Sequence, residues 1–255
     1  METITKKYDT DKYKDLIPAY EELFADIRNE KLKILEVGVW RGGSMLWLKD
    51  FFPNAEIYGI DINLPKMNEE RITLIQADQN DTEKLKEIAK IGFDIVIDDG
   101  SHFPKETQNT LNVFWEATKK HYIIEDWDAG INKPSKYKGL ENVVFGVIRK
   151  RHELGIKRLQ VEAGRKSYAY FLKGNEIKKG ESVEKHLKDL TCDIKNMDSI
   201  NFKENKKILN EFEQLKKSKS FRLGNLFFRS IRNPWKIFTF PLNLVLILID
   251  KNGKK

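Results

Sequence analysis

The strongest constraint on the fold is an alternation of short apolar runs with segments that are compatible with helices. Apolar runs of four to eight residues that alternate with helical patterns are typical of a parallel sheet wrapped by crossover helices. Runs such as Ile95-Val96-Ile97 are continuously apolar, which is typical of strands that helices cover on both faces. The pattern predicts strands at residues 33–37, 56–60, 71–76, 93–97 and 122–124, with helices at 44–51, 82–90 and 104–118.

The pattern changes after Trp127, where a helix is predicted over residues 140–153. Two further strands, 157–161 and 167–172, flank residues 162–166 and predict an antiparallel hairpin. Five parallel strands with this hairpin make a seven-stranded, Rossmann-like α/β sheet, which we assign to residues 1–175. Residues 176–217 are highly charged and predict a helical linker, and residues 218–255 form a separate tail.

The amino-acid composition restricts the cellular compartment in which such a chain is expected to function. Among its 255 residues Cys192 is the only cysteine, so an internal disulfide framework is excluded, and no Cys/His set has zinc spacing. The first residues carry neither the apolar segment of a secretory signal nor the bias of a transit peptide. These features predict a cytoplasmic protein.

Positive charge is concentrated in the tail. From Lys216 onward the chain has ten basic residues and one acidic residue, whereas the formal net charge of the whole chain is +7. The body is therefore nearly neutral, and its charge gives no argument for nucleic-acid binding.

The tail also carries an apolar pattern. Leu223, Phe227, Phe228 and Ile231 recur at helical spacing, and the apolar run 237–249 is interrupted by Pro241. A spanning helix needs about 20 apolar residues. The tail is therefore predicted to be an amphipathic helical segment that lies on the inner face of the plasma membrane. The alternative is that it packs on the body of the protein or on a second subunit of a homo-oligomer.

A glycine turn follows the first predicted strand. Gly38, Gly42 and Gly43 let the backbone approach a ligand, and the helix that begins near Ser44 offers free N–H groups. The spacing is not that of a dinucleotide site, and Glu36 before the turn would repel a pyrophosphate. A carboxylate in this position suits a cationic ligand.

Two further acids end the next strands. Asp61 follows the second strand, where a carboxylate can accept both hydroxyls of a ribose, and Asp78 follows the third strand, within reach of an adenine amino group. Each of them alone is equally well explained as a cap of its loop.

The acidic cluster after the fourth and fifth strands is the sharpest signal. Asp98-Asp99 and Glu125-Asp126 would converge at the carboxyl edge of the sheet, where such folds bind ligands. Carboxylates this close repel one another unless a cation is present, and oxygen ligands suit Mg²⁺ or Mn²⁺. His102 beside them is a candidate general base. The other histidines have no acidic cluster next to them in the sequence: His121, His152 and His186.

These motifs together resemble the class I S-adenosylmethionine (SAM)-dependent methyltransferases. Asp98-Asp99-Gly100-Ser101-His102 followed by Ile124-Glu125-Asp126 is similar to the metal-dependent sugar O-methyltransferases of the mycinamicin and macrocin type and to the related cephalosporin hydroxylase-like group. Thr10-Asp11-Lys12 resembles an N-terminal element of the same family. The likeness covers about residues 5 to 175.

The resemblance implies a role for each matching residue. Glu36, Gly38 and Ser44 would border the methionine part of SAM, and Asp61 would hold the ribose. Gly42, Asp78 and Asp98 complete the predicted cofactor-binding residues. Asp99, Glu125 and Asp126 would bind the metal, Asp98 being the substitute if the register shifts by one residue. His102 would take the proton from the sugar hydroxyl.

The sequence therefore predicts a SAM- and Mg²⁺-dependent (or Mn²⁺-dependent) O-methyltransferase that acts on a sugar of a bacterial surface glycan or related glycoconjugate. Two alternatives remain. An oxygenase similar to the hydroxylase group would need two histidines with a carboxylate, and the cluster holds only His102. A scaffold without catalysis would keep the fold and bind a membrane or partner through its tail.

Overall fold

The computed structural model describes residues 7–13, 15–132, 134–151, 153–174 and 191–195. The strands are β1 Lys33–Val37, β2 Glu56–Asp61, β3 Ile72–Gln76, β4 Phe93–Asp98, β5 Thr118–Glu125, β6 Ile156–Glu162, β7 Tyr168–Lys173 and β8 Thr191–Lys195. The helices are α1 Leu16–Phe24, α2 Gly43–Phe51, α3 Thr82–Ala89, α4 Pro104–Ala117, α5 Ala129–Asn132, α6 Pro134–Tyr137 and α7 Leu140–Arg149.

The strands form one mixed sheet in the order β3-β2-β1-β4-β5-β7-β6-β8. Strands β1 to β5 are parallel, and β7 runs antiparallel to both β5 and β6. The predicted arrangement of five parallel strands and an antiparallel hairpin is confirmed.

Helices cover both faces of the sheet, which explains why its central strands are continuously apolar. On one face α1 and α2 pack on Ile34, Ile95 and Ile123. On the other face α3, α4 and α7 pack on a second cluster that includes Val96 and Tyr122. Each strand therefore buries side chains in both directions.

Helix α1 is absent from the sequence-based prediction. Its buried residues Leu16, Ile17, Tyr20 and Phe24 follow the i, i+4, i+8 spacing of an amphipathic helix, and Pro18 lies in its first turn, where proline is tolerated. That spacing is the signal that could have found it. This helix brings the N-terminal segment next to the carboxyl edge of the sheet.

Two predicted element boundaries need correction. Strand β5 begins at Thr118 rather than Tyr122, because it pairs along its length with β4, and α7 ends at Arg149 rather than at residue 153. Within the predicted helical linker, Thr191–Lys195 forms a strand that pairs in parallel with β6. The rest of that linker and the tail 218–255 lie outside the described residues. Among the helices of the described part of the chain, none has the length and apolarity needed to span a bilayer.

Candidate active site

Parallel pairing sets the site at the carboxyl ends of β1, β4 and β5. Val37 pairs with Asp98, and Asp98 pairs with Ile124, so that Asp99 and Glu125 follow at the same level of the sheet. A cavity of about 660 Å³ opens at this edge. Of the residues that the sequence singled out, its lining includes Gly38, Ser44, Asp61, Asp78, Asp99, His102, Glu125 and Asp126.

The glycine turn after β1 lies directly against the loop after β4. Gly38 has φ +89°, and a Cβ at this position would collide with the backbone carbonyl of Asp99. Gly42, with φ +85°, precedes α2 and does not line the cavity. The two glycines therefore allow the turn to pass close to the acidic loop and then enter the helix.

Glu36 lies behind the cavity wall. Its side chain is completely buried, and the Ser44 hydroxyl donates a hydrogen bond of 2.6 Å to Glu36 Oε2. Burial raises the pKa of Glu36, although the nearby Lys12 ammonium opposes this shift. Glu36 Oε1 lies 3.3 Å from Lys12 Nζ, an ion pair without the alignment of a hydrogen bond.

Asp61 and Asp78 both occupy the cavity wall and both cap loops. Asp61 Oδ2 accepts the backbone N–H groups of Val39 and Trp40, at 2.8 and 3.0 Å, which ties β2 to the glycine turn. Asp78 Oδ1 accepts the N–H of Asn80 at 2.8 Å. Loop capping and ligand binding are compatible here, because a carboxylate accepts several hydrogen bonds.

The structure does not place Asp98 at the cavity. Its side chain is buried beneath the loop, where Oδ1 accepts hydrogen bonds from the Gln79 side chain at 3.2 Å and from the Gly100 N–H at 3.4 Å. Side chains of a strand alternate between its faces, so neighbours Asp98 and Asp99 point apart. Burial raises the pKa of Asp98 to about 8.

Gln79 holds the loop that carries Asp99 and His102. Its side chain accepts the Ser101 N–H at 2.8 Å and donates to Thr110 on α4 at 2.8 Å. It also lies against Gly100, where a Cβ would collide with it. Sequence reasoning missed Gln79, since an isolated glutamine after β3 carries no distinctive spacing.

The acidic residues form two groups that share Asp99. In the outer group, ligand atoms of Asp99, His102 and Asp126 lie within 4.8 Å of one another. In the inner group, those of Glu36, Asp99 and Glu125 do so. The set inferred from the resemblance, Asp99 with Glu125 and Asp126, is therefore divided between the two groups.

A lysine fills the inner group. Lys12 Nζ lies 2.5 Å from Asp99 Oδ2 and 2.7 Å from Glu125 Oε1. Tyr20 on α1 donates to the same Glu125 oxygen at 2.9 Å. Burial disfavours the ammonium, but Asp99, Glu125 and Glu36 outweigh burial and raise the pKa of Lys12 well above its ordinary value. Lys12 therefore stays charged.

The outer group is more open. His102 Nε2 lies 3.8 Å from Asp99 Oδ1 and 3.8 Å from Asp126 Oδ2. Burial and the charge of Asp99 raise the pKa of Asp126, partly offset by His102. Mg²⁺ and Mn²⁺ accept oxygen ligands, so the Asp99 and Asp126 carboxylates fit a divalent ion, and the His102 imidazole beside them is a candidate base.

Both His102 and Asp126 have left-handed backbones, with φ values of +58° and +48°. This conformation costs free energy for residues other than glycine and persists only where the surroundings impose it. At Asp126 the surroundings are visible, because its N–H donates to the Ser167 carbonyl at 2.8 Å and Asp128 accepts the Ser167 hydroxyl at 2.6 Å. The hairpin β6–β7 thus holds the turn after β5 in place.

Several known proteins are similar to this chain. The chain matches no protein-family model. It is 39% identical over 142 residues to the mycinamicin VI 2''-O-methyltransferase of Micromonospora griseorubida and 38% identical over 142 residues to the demethylmacrocin O-methyltransferase of Streptomyces fradiae. Each match covers 49% of this chain and 36% of the relative. The chain therefore spans little more than a third of the length of the curated relatives it matches.

Solved structures agree with these relatives. The MycE methyltransferase of the mycinamycin biosynthetic pathway, in complex with Mg, SAH and mycinamycin VI, has a TM-score of 0.61 and 31% identity, covering 71% of this chain and 56% of that chain. A putative caffeoyl-CoA O-methyltransferase from Staphylococcus aureus shares the fold, with a TM-score of 0.51 and 15% identity over 62% of this chain and 82% of that one. The fold is that of class I SAM-dependent methyltransferases, and the chain is related to the mycinamicin and macrocin sugar O-methyltransferases. The resemblance identified from the motifs is confirmed.

The raised pKa of Asp98 predicts a pH-dependent stability. Because the folded protein holds this proton up to about pH 8 and the unfolded chain releases it near 3.8, the contribution of Asp98 to stability declines as the pH rises between these values. Asp98→Asn keeps an oxygen that can accept from Gln79 and Gly100 but removes the titration. Urea unfolding of the two proteins without ligands should show a difference that increasingly favours the variant from about pH 5 to about pH 8.

Asp26→Asn is the matched control, because Asp26 is exposed. Its stability should follow that of the unsubstituted protein across the same pH range. Parallel curves for Asp98→Asn and the unsubstituted protein would contradict a buried, protonated Asp98.

Proposed function

We propose that this chain, a class I fold related to the mycinamicin and macrocin enzymes, transfers a methyl group from SAM to a sugar hydroxyl with the help of a divalent ion. The observation that carries the proposal is the outer group, in which His102 lies 3.8 Å from a carboxylate oxygen of both Asp99 and Asp126. This group faces the cavity that the glycine turn borders. The relatives named above are supporting evidence, since their names describe O-methyltransferases.

The cofactor would lie between the glycine turn and the ends of β2 and β3. Gly38 and Ser44 border the methionine portion, and Glu36 behind them adds a negative field that favours the cationic sulfonium and ammonium groups. Asp61 would accept ribose hydroxyls while its Oδ2 continues to cap the turn, and Asp78 would lie at the adenine. Asp98, buried beneath the loop, would support the Asp99 loop instead of touching the cofactor.

Asp99 and Asp126 would hold the ion, with Glu125 held by Lys12 and Tyr20 next to them. When bound there, the ion would lower the pKa of the acceptor hydroxyl and help Asp99 and Asp126 to orient it. His102 would take the hydroxyl proton as the acceptor oxygen attacks the sulfonium methyl carbon, so that the C–O bond would form as the S–C bond breaks. The electron pair of the broken bond stays on sulfur, so the positive charge of the cofactor is lost.

The acceptor would approach from the side of His102. Tyr137 on α6 lies edge-on to the His102 ring, with centroids 6.2 Å apart, and packs against the half-exposed Phe103 at 5.6 Å. Phe103 lines the cavity and Tyr137 packs against it, and aromatic groups with a few polar ones are typical of ligand sites. They fit a sugar that offers one hydroxyl to His102, and a bacterial surface glycan or related glycoconjugate remains our proposed source of that sugar.

The geometry of the site predicts that a substitution on the acceptor side lowers methyl transfer without weakening SAH binding. His102→Ala and Asp99→Ala should each lower methyl transfer by about two orders of magnitude or more, because a general base alone contributes about 10²- to 10⁴-fold. The measurement is SAH formation with a panel of glycosides that includes mycinamicin VI and demethylmacrocin. SAH binding by His102→Ala, followed by calorimetry, should stay within about threefold of the unsubstituted protein, since this imidazole touches the acceptor side.

Asp26→Asn again serves as the surface control and should transfer at the original rate. Retained transfer by both site variants would refute the assignment. If the unsubstituted protein failed to bind SAM or SAH, the scaffold alternative would replace the enzyme.

Metal removal makes an independent prediction. Dialysis against EDTA should stop methyl transfer, and Mg²⁺ or Mn²⁺ should restore it, because the outer group has carboxylates that require a counter-ion. Full activity after complete removal of divalent ions, verified by elemental analysis, would assign the acids a structural role.

The tail 218–255 lies outside the described residues, and its membrane attachment stays a proposal. Basic residues near an anionic leaflet contribute about 1 kcal/mol each. The full chain should therefore co-sediment with vesicles rich in anionic lipid, and a chain truncated after Lys217 should remain in the supernatant. Equal partitioning of both forms would exclude the attachment and favour packing on the body or on a second subunit.

A further inference from the structure

The side chain of Lys12 lies between the proposed cofactor site and the proposed metal site. Its ammonium lies 3.3 Å from Glu36, 2.5 Å from Asp99 and 2.7 Å from Glu125, and only 4% of its side chain is exposed. Glu36 comes from β1, Asp99 follows β4, and Glu125 ends β5. One buried cation therefore contacts acids from three adjacent strands.

The three acids could not all stay ionised in this place without a cation. Their ligand atoms lie within 4.8 Å of one another, and Glu36 and Glu125 are almost completely buried. Like charges at such distances in a poorly hydrated environment repel strongly. Without a cation these side chains would separate or take up protons, and either change would remove the arrangement in which they face the two ligands.

The ammonium is held in place by the fold. The N-terminal segment that contains Tyr8 and Lys12 packs on the start of α2. The backbone carbonyl of Tyr8 lies where a Cβ on Gly43 would be. On its other side α1 brings Tyr20, which shares Glu125 Oε1 with Lys12. The N-terminal segment and α1 together place the Lys12 ammonium between the ends of β1, β4 and β5.

We infer that Lys12 is a positioning residue: an internal counter-ion that holds Glu125 and, in the same arrangement, sets Glu36 for the cofactor and Asp99 for the metal. The inference rests on the proposed function, since it concerns the two ligands proposed there. Because all three acids depend on the same ammonium, its loss disturbs both sites together. A residue that served only one site would affect only one ligand.

The test is the binding of Mn²⁺ and of SAH to the full chain, each measured by calorimetry. Lys12→Met keeps most of the length and apolar volume of the side chain but removes the charge. We expect both dissociation constants to rise about tenfold or more, as is typical when the partners that orient metal ligands are lost. Lys7→Met is the matched control, because Lys7 belongs to the same segment and its ion pair with Asp50 is exposed. Both of its dissociation constants should stay near those of the unsubstituted protein.

Chemical rescue separates the charge from a general structural effect. Lys12 lines the cavity, so a small amine can reach its position in Lys12→Ala. Propylammonium should restore most of the affinity for Mn²⁺ and SAH, whereas propanol, similar in size but neutral, should not. Rescue by both compounds or by neither would overturn the inference, because the charge of the ammonium would then not be what positions the acids.

The outcomes distinguish this inference from the proposed function. If the unsubstituted protein binds neither SAH nor Mn²⁺, the proposed function fails. If it binds both and Lys12→Met binds both as tightly, only the inference fails. A loss confined to one of the two ligands also overturns it, since a shared counter-ion must affect both.

Discussion

The structure depends on how one sheet edge accommodates several carboxylates. Parallel strands β1, β4 and β5 end at the same level, so the acids that follow them are brought together whether or not their charges favour it. The fold responds in three ways. Burial favours the protonated form of Asp98 beneath the loop, Lys12 forms ion pairs with the acids of the inner group, and Asp99 and Asp126 face the cavity with His102.

These three responses give the acids different chemistry although they have similar residue types. Asp98 is buried without a cation, which favours its neutral form. Glu125 is equally buried but lies 2.7 Å from an ammonium, and Asp126 is half-buried at the cavity. Neighbouring carboxyl groups thus become a structural support, a hydrogen-bonded partner of Lys12 and Tyr20, and a candidate metal ligand because their environments differ.

Backbone conformation also determines where the side chains of the site lie. His102 and Asp126 both have positive φ angles, and their ligand atoms lie within 4.8 Å of that of Asp99. The hydrogen bonds that impose this conformation come from elsewhere in the chain: Gln79 fastens the loop before His102, and the Ser167 carbonyl fastens Asp126. The antiparallel hairpin, which carries none of the predicted site residues, is therefore a part of the framework of the site.

Strand positions were predictable because continuous apolar runs and the acids after them are local signals. The prediction that Asp99, Asp126 and His102 meet followed from parallel topology, and the structure brings these three together. Helix α1 was missed, since its nine residues include a proline and follow a segment of charged residues. The strand within the predicted linker was also missed, because its pairing with β6 depends on a distant partner.

The sequence by itself determined the order of strands and helices, the glycine turn and the identity of the acids at the strand ends, because each of these follows from the local periodicity or spacing of residues. Only the tertiary structure decided which acids share a cation. Lys12 lies 87 residues from Asp99 and 113 from Glu125 along the chain. No pattern in the sequence measures the distance between such groups, and burial, which sets their charge states, exists only once the sheet and α1 have packed together.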